Sequence, residues 1–297
     1  MSLKIKSNNY WTKGFFFIGA FSILILISIS YISIVKLNLN FNRKKCIRSI
    51  SEAQLSLVEN KLETSVQLLY LLSDFMDIYS QETNKDKKNN LLNDVLIDTK
   101  FYDIGFINLN GDVVTANNNY YDVKNKKFFY EIISGKKYYF EYEFDEQINE
   151  YIFYIAIPTY QDKKITGVIF AKEGASEVVG YCDHQENIGE MDKYILHSDG
   201  TIICKNNSSG FNIGENFFNE LNDYNKNNKI LDIQNKIKNK QSTINLLNYK
   251  DGSQIVSIYP IKYTEDFYSI TSVDSKLIKQ SVASIEKGSF ILIVLFL

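Results

Sequence analysis

The sequence holds two histidines and three cysteines, and four of these five residues fall in one window: Cys182, His184, His197 and Cys204. Two thiolates and two imidazoles make a legitimate tetrahedral zinc set. The spacing, C-x-H followed by H-x6-C, matches no compact zinc knuckle, and His197 and Cys204 lie on the two arms of one hairpin pattern. A Cys182 to Cys204 disulfide and plain free thiols are the other readings of the window, and free thiols are the commonest of the three. Cys46 stands on a long helical segment, where it is either an ordinary buried thiol or a dimer cross-link. No phosphate-binding Gly loop, G-x-S-x-G or H-E-x-x-H occurs. The acidic pairs Glu141 with Glu143 and Asp145 with Glu146 have the spacing of solvated strand and loop faces, not of a glycosidase pair. These residues point away from catalysis, cofactors and metals, and toward binding.

The elements that must position a binding site come in duplicate. FINLNGDVV (106–114) and ILHSDGTII (195–203) each run apolar, turn at Gly111 or Gly200, and return through β-branched residues, the pattern of a hairpin. The only two prolines, Pro158 and Pro260, follow these hairpins at similar distances, each near the end of an alternating apolar strand that turns and comes back. The repeated order predicts two similar α+β modules with antiparallel sheets, over 81–180 and 181–275. A net charge of −2 gives no reason to expect nucleic acid as a partner.

Leu55, Val58, Leu62, Val66, Leu69 and Leu72 recur at three- and four-residue steps, with no Pro or Gly from Asn40 to Ser80. This predicts a long amphipathic stalk helix over 38–80, packed on the modules and suited to pairing with a second copy in a homodimer. The polar run 81–90 reads as a solvated loop. Upstream, Gly14 to Val35 is a run of 22 residues without a charge. At about 1.5 Å per residue it is long enough for the roughly 30 Å hydrocarbon core, so 14–37 is expected to be a transmembrane helix after a short cytoplasmic segment, 1–13. An exit helix (276–287) leads to the apolar run 288–297, which reads either as an amphipathic or buried tail or, the favoured reading, as the start of a second span cut short. Lys4, Lys6 and Lys13 favour a cytoplasmic N-terminus; Lys36, Arg43, Lys44, Lys45 and Arg48 on the other flank count against it. Two spans around one long folded segment favour an extracytoplasmic sensor region in a multi-pass protein of the cell membrane.

A span, a long helix, two PAS-like modules and a second span resemble the double Cache sensor regions of bacterial transmembrane receptors. The most specific stretch is Asp122 to Ala171, which runs in the order of that family's membrane-distal module: an aromatic-flanked cation, a short helix ending in Gly, an Ile-Pro strand and a closing Gly-Val strand. The resemblance implies a distal pocket for a small extracellular molecule. In the amino-acid-binding branch an Arg clamps the carboxylate, an aromatic pair follows, and a later Tyr and an Asp hold the ammonium. Laid on this sequence, the pattern puts Lys126 at the Arg, Phe128 and Phe129 at the aromatic pair, Phe144 at the later Tyr and Glu173 at the Asp. Lys supplies a point charge where Arg supplies a fork, and Phe lacks the phenol hydroxyl. The implied pocket is therefore cationic but more apolar, suited to a carboxylate with an apolar body. The proximal module is expected to act as a spacer. The function this implies is sensing for an unseen cytoplasmic output domain: a chemotaxis rod, a histidine kinase or a cyclic-dinucleotide enzyme. The competing reading is a membrane-tethered structural or protein-interaction module in which Phe128, Phe129 and Phe144 are simply core.

Overall fold

The computed structural model describes residues 8–79, 85–117, 126–180, 191–206, 210–250 and 252–275. Both modules belong to one compact unit, Ile50–Val273. Helix α1 (Asn8–Tyr79) is followed by α2 (Lys85–Ile97) and the first module: β1 (Asp103–Asn108), β2 (Val113–Thr115), α3 (Lys127–Ile133), β3 (Tyr139–Asp145), β4 (Glu150–Gln161) and β5 (Lys164–Gly174). After α4 (Ala175–Gly180) comes the second: β6 (Met191–His197), β7 (Ile202–Lys205), α5 (Phe217–Asn222), α6 (Asn227–Lys238), β8 (Thr243–Tyr249), β9 (Gly252–Pro260) and β10 (Phe267–Asp274).

The two five-stranded sheets have the orders β2-β1-β5-β4-β3 and β7-β6-β10-β9-β8, the same topology written twice. Each opens with a hairpin whose Gly takes a left-handed backbone, φ 85° at Gly111 and 100° at Gly200, which a Cβ would resist. The prolines mark the same place in both. On β4 the pairing with β3 ends at Ala156, and on β9 the pairing with β8 ends at Ile258. Pro158 and Pro260 each lie two residues further on, beyond the neighbouring strand that would have needed their N–H.

Each sheet is covered on one face by α1 and on the other by its own short helices. Val58, Leu62, Val66, Leu69 and Leu72 are all buried, in a core that also takes Phe153, Ile155 and Ile169 of the first sheet and Ile195, Ile203 and Phe267 of the second. The stalk helix is thus one wall of both modules. On the far faces, α3 closes a cluster with Tyr154, Val168 and Phe170, while α5 and α6 close one with Tyr194, Leu196 and Tyr268. The run 81–90 is not a loop throughout, because α2 starts at Lys85. Leu91, Leu92, Val95 and Leu96 give it an apolar face, and fully buried Leu92 anchors it to the α1 core.

Among the described residues no helix is long and apolar enough to cross a membrane. Gly14 to Val35 lies within α1, most of its side chains outside the described residues; those of Leu26, Ile27, Tyr31 and Ile34 are exposed. The exit helix and the second apolar run, 276–297, lie outside the described residues altogether.

Leu69 is wholly buried in the stripe that α1 lays across the sheets. Leu69→Ala is expected to cost about 2–5 kcal/mol in urea denaturation, the range for a truncated core Leu. A loss below about 1 kcal/mol would mean that the stripe is not packed as described.

Candidate ligand-binding site

Side chains alternate across a strand, so each residue of the first sheet faces either α1 or α3. On β5, Val168 and Phe170 lie in the α3 cluster, whereas Ile169 and Ala171 lie in the α1 core. The same alternation sends Lys172 to the α3 face and Glu173 to the stalk. Strand register then sets Glu141, Tyr154, Lys172 and Asp103 side by side in one row across four strands.

Lys126 enters this row from the edge. It precedes the first turn of α3 in an extended conformation, φ −83° and ψ 130°. Its Nζ lies 5.0 Å from the centre of the Tyr154 ring and is ion-paired with Glu143. Lys172 approaches the same ring at 5.7 Å and stands 3.5 Å from the Asp145 carboxylate, with only 12 % of its side chain exposed. Two cations therefore converge on one aromatic ring, each next to one carboxylate, and cation–π attraction favours this placement. Glu141 is spoken for: its Oε2 accepts the Phe128 N–H at 2.7 Å, tying down the start of α3. Asp103 is likewise structural, accepting the N–H groups of Ile104 and Asn117 at 2.9 and 3.3 Å. At the end of the β1–β5 pairing the Tyr102 N–H donates to the Lys172 carbonyl, and its hydroxyl donates to Glu150 at 3.0 Å. Burial first, and then the Glu150 carboxylate, push the Tyr102 phenol up to about 12, so it stays a neutral donor at pH 7.

The residues singled out from sequence separate into three places. Lys126 and Phe128 meet at Tyr154, with the Phe128 ring stacked on it at 5.3 Å and 21°. Phe128 is fully buried and Phe129 nearly so, which makes both of them floor and core. Phe144 is on the opposite face of β3, half-exposed and edge-on to Tyr151 at 5.1 Å. Glu173 is fully buried against α1, ion-paired with Lys61, and accepts the Ser65 hydroxyl at 3.0 Å. The structure does not bring Phe144 or Glu173 to Lys126. It brings Lys172, Tyr154 and Glu143 instead, and strand parity counted from Phe170 was the signal that marks Lys172.

Of the zinc window, Cys182 and His184 lie outside the described residues, as does the side chain of Cys46. Cys204 is buried on β7, opposite Ile195. The His197 ring sits 4.8 Å from Tyr142 and 5.6 Å from Phe267, and its Nδ1 is 3.0 Å from Asp199. Burial works to raise the Asp199 carboxyl, but hydrogen bonds from Thr201 and the contact with His197 outweigh it and hold the group below its usual range. Among the described residues no group of three or more His, Cys, Asp or Glu is placed to hold a metal.

Two similar antiparallel modules mounted on one long helix are the double Cache fold, the fold of chemoreceptor sensor domains. The Pseudomonas aeruginosa amino-acid chemoreceptor PctB, its ligand-binding domain solved with L-Arg, aligns with a TM-score of 0.60 and 17% identity over 78% of this chain and 95% of that one. The corresponding domain of P. aeruginosa PctC with GABA gives a TM-score of 0.63 and 13% identity over 78% and 100%. That of the Campylobacter jejuni chemoreceptor Tlp3 with isoleucine gives 0.60 and 11% over 82% and 97%. No protein-family model and no curated protein matches the sequence.

The buried Glu173 tests this partition of faces. Lys61→Ala leaves its carboxylate uncompensated and is expected to cost about 3–5 kcal/mol in urea denaturation. The double substitution Lys61→Met with Glu173→Leu should regain most of that loss, since a well-packed apolar pair often replaces a buried ion pair without penalty. If Lys61→Ala costs nothing, Glu173 does not face the stalk.

Proposed function

We propose that this chain is the ligand-sensing and membrane-anchoring half of a bacterial transmembrane receptor. It binds a small carboxylate-bearing molecule in the distal module, outside the cytoplasm. The observation that carries the reading is the convergence of Lys126 and Lys172 on Tyr154, on the sheet face turned away from the stalk. Two ammonium groups are a receptor for a carboxylate, the aromatic floor of Phe128, Tyr154 and Phe170 suits an apolar body, and Glu143 and Asp145 can take a ligand ammonium. L-Arg, GABA and isoleucine, held by the structures of the same fold, each carry both charged groups. This restores free amino acids beside plain carboxylates as ligands to test.

Signal transfer follows from adjacency on β5. Lys172 faces the site and Glu173 the stalk, so a ligand that shifts this strand also moves the partner of Lys61 on α1. The uncharged run 14–35 anchors the chain, and a homodimer through α1 uses side chains such as Leu71 and Phe75, both exposed one turn apart. A scaffold without a ligand is favoured by one observation, the burial of Phe128 and Phe129 as core.

The test is thermal unfolding of the purified chain with L-amino acids, amine-free carboxylates and amines. At a hundredfold excess over Kd a true ligand should raise Tm by about 5–10 °C. Lys126→Ala and Lys172→Ala should each weaken it about tenfold or more, since a hydrogen bond to a charged group is lost. A panel without any shift, or a shift that both variants keep, would sink the sensor reading in favour of the scaffold.

A further inference from the structure

A second cluster of cations lies apart from this site, where the two modules meet. A groove of about 710 Å³ runs between them, within the size range of small-molecule sites. The distal module contributes Lys127 and Lys136, from the two ends of the α3 region; the proximal module contributes Lys240, just past α6, and Lys262, after β9. Tyr139 forms part of the wall, its ring 5.5 Å from the Lys127 ammonium and 4.8 Å from that of Lys136.

One carboxylate sits at the centre of these charges. Glu265, in the connection between β9 and β10, accepts a hydrogen bond from Lys136 Nζ at 2.6 Å. That bond, with the nearby charges of Lys240 and Lys127, holds the Glu265 carboxyl below its usual range in spite of some burial. Two lysines of the distal module, Lys127 and Lys136, and one of its own module, Lys240, thus act on the Glu265 carboxylate. Yet Glu265 is weakly held: 59 % of its side chain is exposed, and an exposed ion pair contributes only about 0–1 kcal/mol. Glu131, 3.1 Å from Lys136, neutralises part of the remaining charge, and Glu141 and Asp266 also line the groove. Five lysines, Lys137 among them, against Glu141, Glu265 and Asp266 leave the lining cationic, and expulsion of Glu265 would leave it more so.

We propose that the groove between the modules is a second ligand site, for a small oxyanion of at least two charges, and that Glu265 occupies its centre as an internal carboxylate when no anion is bound. A single extra carboxylate gains little over Glu265, whereas a multivalent anion engages Lys136, Lys127 and Lys240 together. Binding there replaces a contact that links the modules, and so reaches the joint between them without involving Lys126.

Isothermal titration of the full chain with citrate, pyrophosphate and acetate tests this. Citrate or pyrophosphate should bind, acetate should not, and the affinity should fall with added salt as exposed charges are screened. Glu265→Gln should tighten binding about fivefold, the worth of one exposed ion pair. Lys136→Ala should weaken it about tenfold. Lys126→Ala should leave it unchanged, which separates this site from the distal one. A preference for citrate or for pyrophosphate names carboxylate or phosphate as the natural chemistry. Absence of binding to Glu265→Gln, an unchanged affinity in that variant, or full binding in Lys136→Ala would each overturn the proposal. All three substitutions are at exposed or partly exposed side chains, and a wild-type circular dichroism spectrum confirms that each variant folds.

Discussion

A carboxylate buried without a single exposed atom, that of Glu173, sits between the stalk helix and the first sheet, and the placement of everything on β5 follows from it. A buried charge must be paired, and Lys61 and Ser65 of α1 supply the partners. Because side chains alternate, fixing Glu173 against the stalk turns Lys172, Phe170 and Val168 to the other face. A slip of one residue would bury Lys172 against α1 and expose the Glu173 side to α3, so the ion pair works as a register pin.

The stalk is correspondingly more than a support. It makes hydrogen bonds to both sheets: Ser51 meets Ser257 of the proximal module at 2.5 Å, and Ser73 reaches the Pro158 carbonyl of the distal one at 3.5 Å. Glu59 and Glu63 take the Lys262 N–H and the Tyr263 hydroxyl at 2.8 and 2.6 Å. One helix thus keeps separate polar appointments with two copies of the same topology. The copies have diverged on their outer faces. The distal copy sets charged groups around Tyr154, whereas the proximal copy fills the equivalent face with the apolar side chains of α5 and α6.

Much of this architecture is legible in the residues taken in order. Gly111 and Gly200 mark backbone conformations that side chains oppose, and Pro158 and Pro260 mark the ends of pairing, both being local constraints. The leucine stripe on α1 is legible for the same reason, since its period is a property of one helix. The polar run 81–90 misled, because the apolar anchors of α2 come after it. Among the candidate site residues, Lys126 came from the resemblance, and the structure sets it beside Tyr154 and Glu143. Phe144 and Glu173 came from laying the family's residue order on the chain, and that order does not record which face of the sheet each residue takes.

The sequence by itself determined two copied modules, a stalk to hold them and a cationic residue at the head of α3, because turns, periods and charges are written in neighbouring positions. Only the tertiary structure decided which charges meet. Lys172 faces Tyr154 because strand parity, counted from a buried core, puts it there, and Glu173 is lost to the site for the same reason. Lys136 and Glu265, 129 residues apart, find each other only because both modules lean on one helix. Such encounters depend on packing between distant segments, and no local pattern records them.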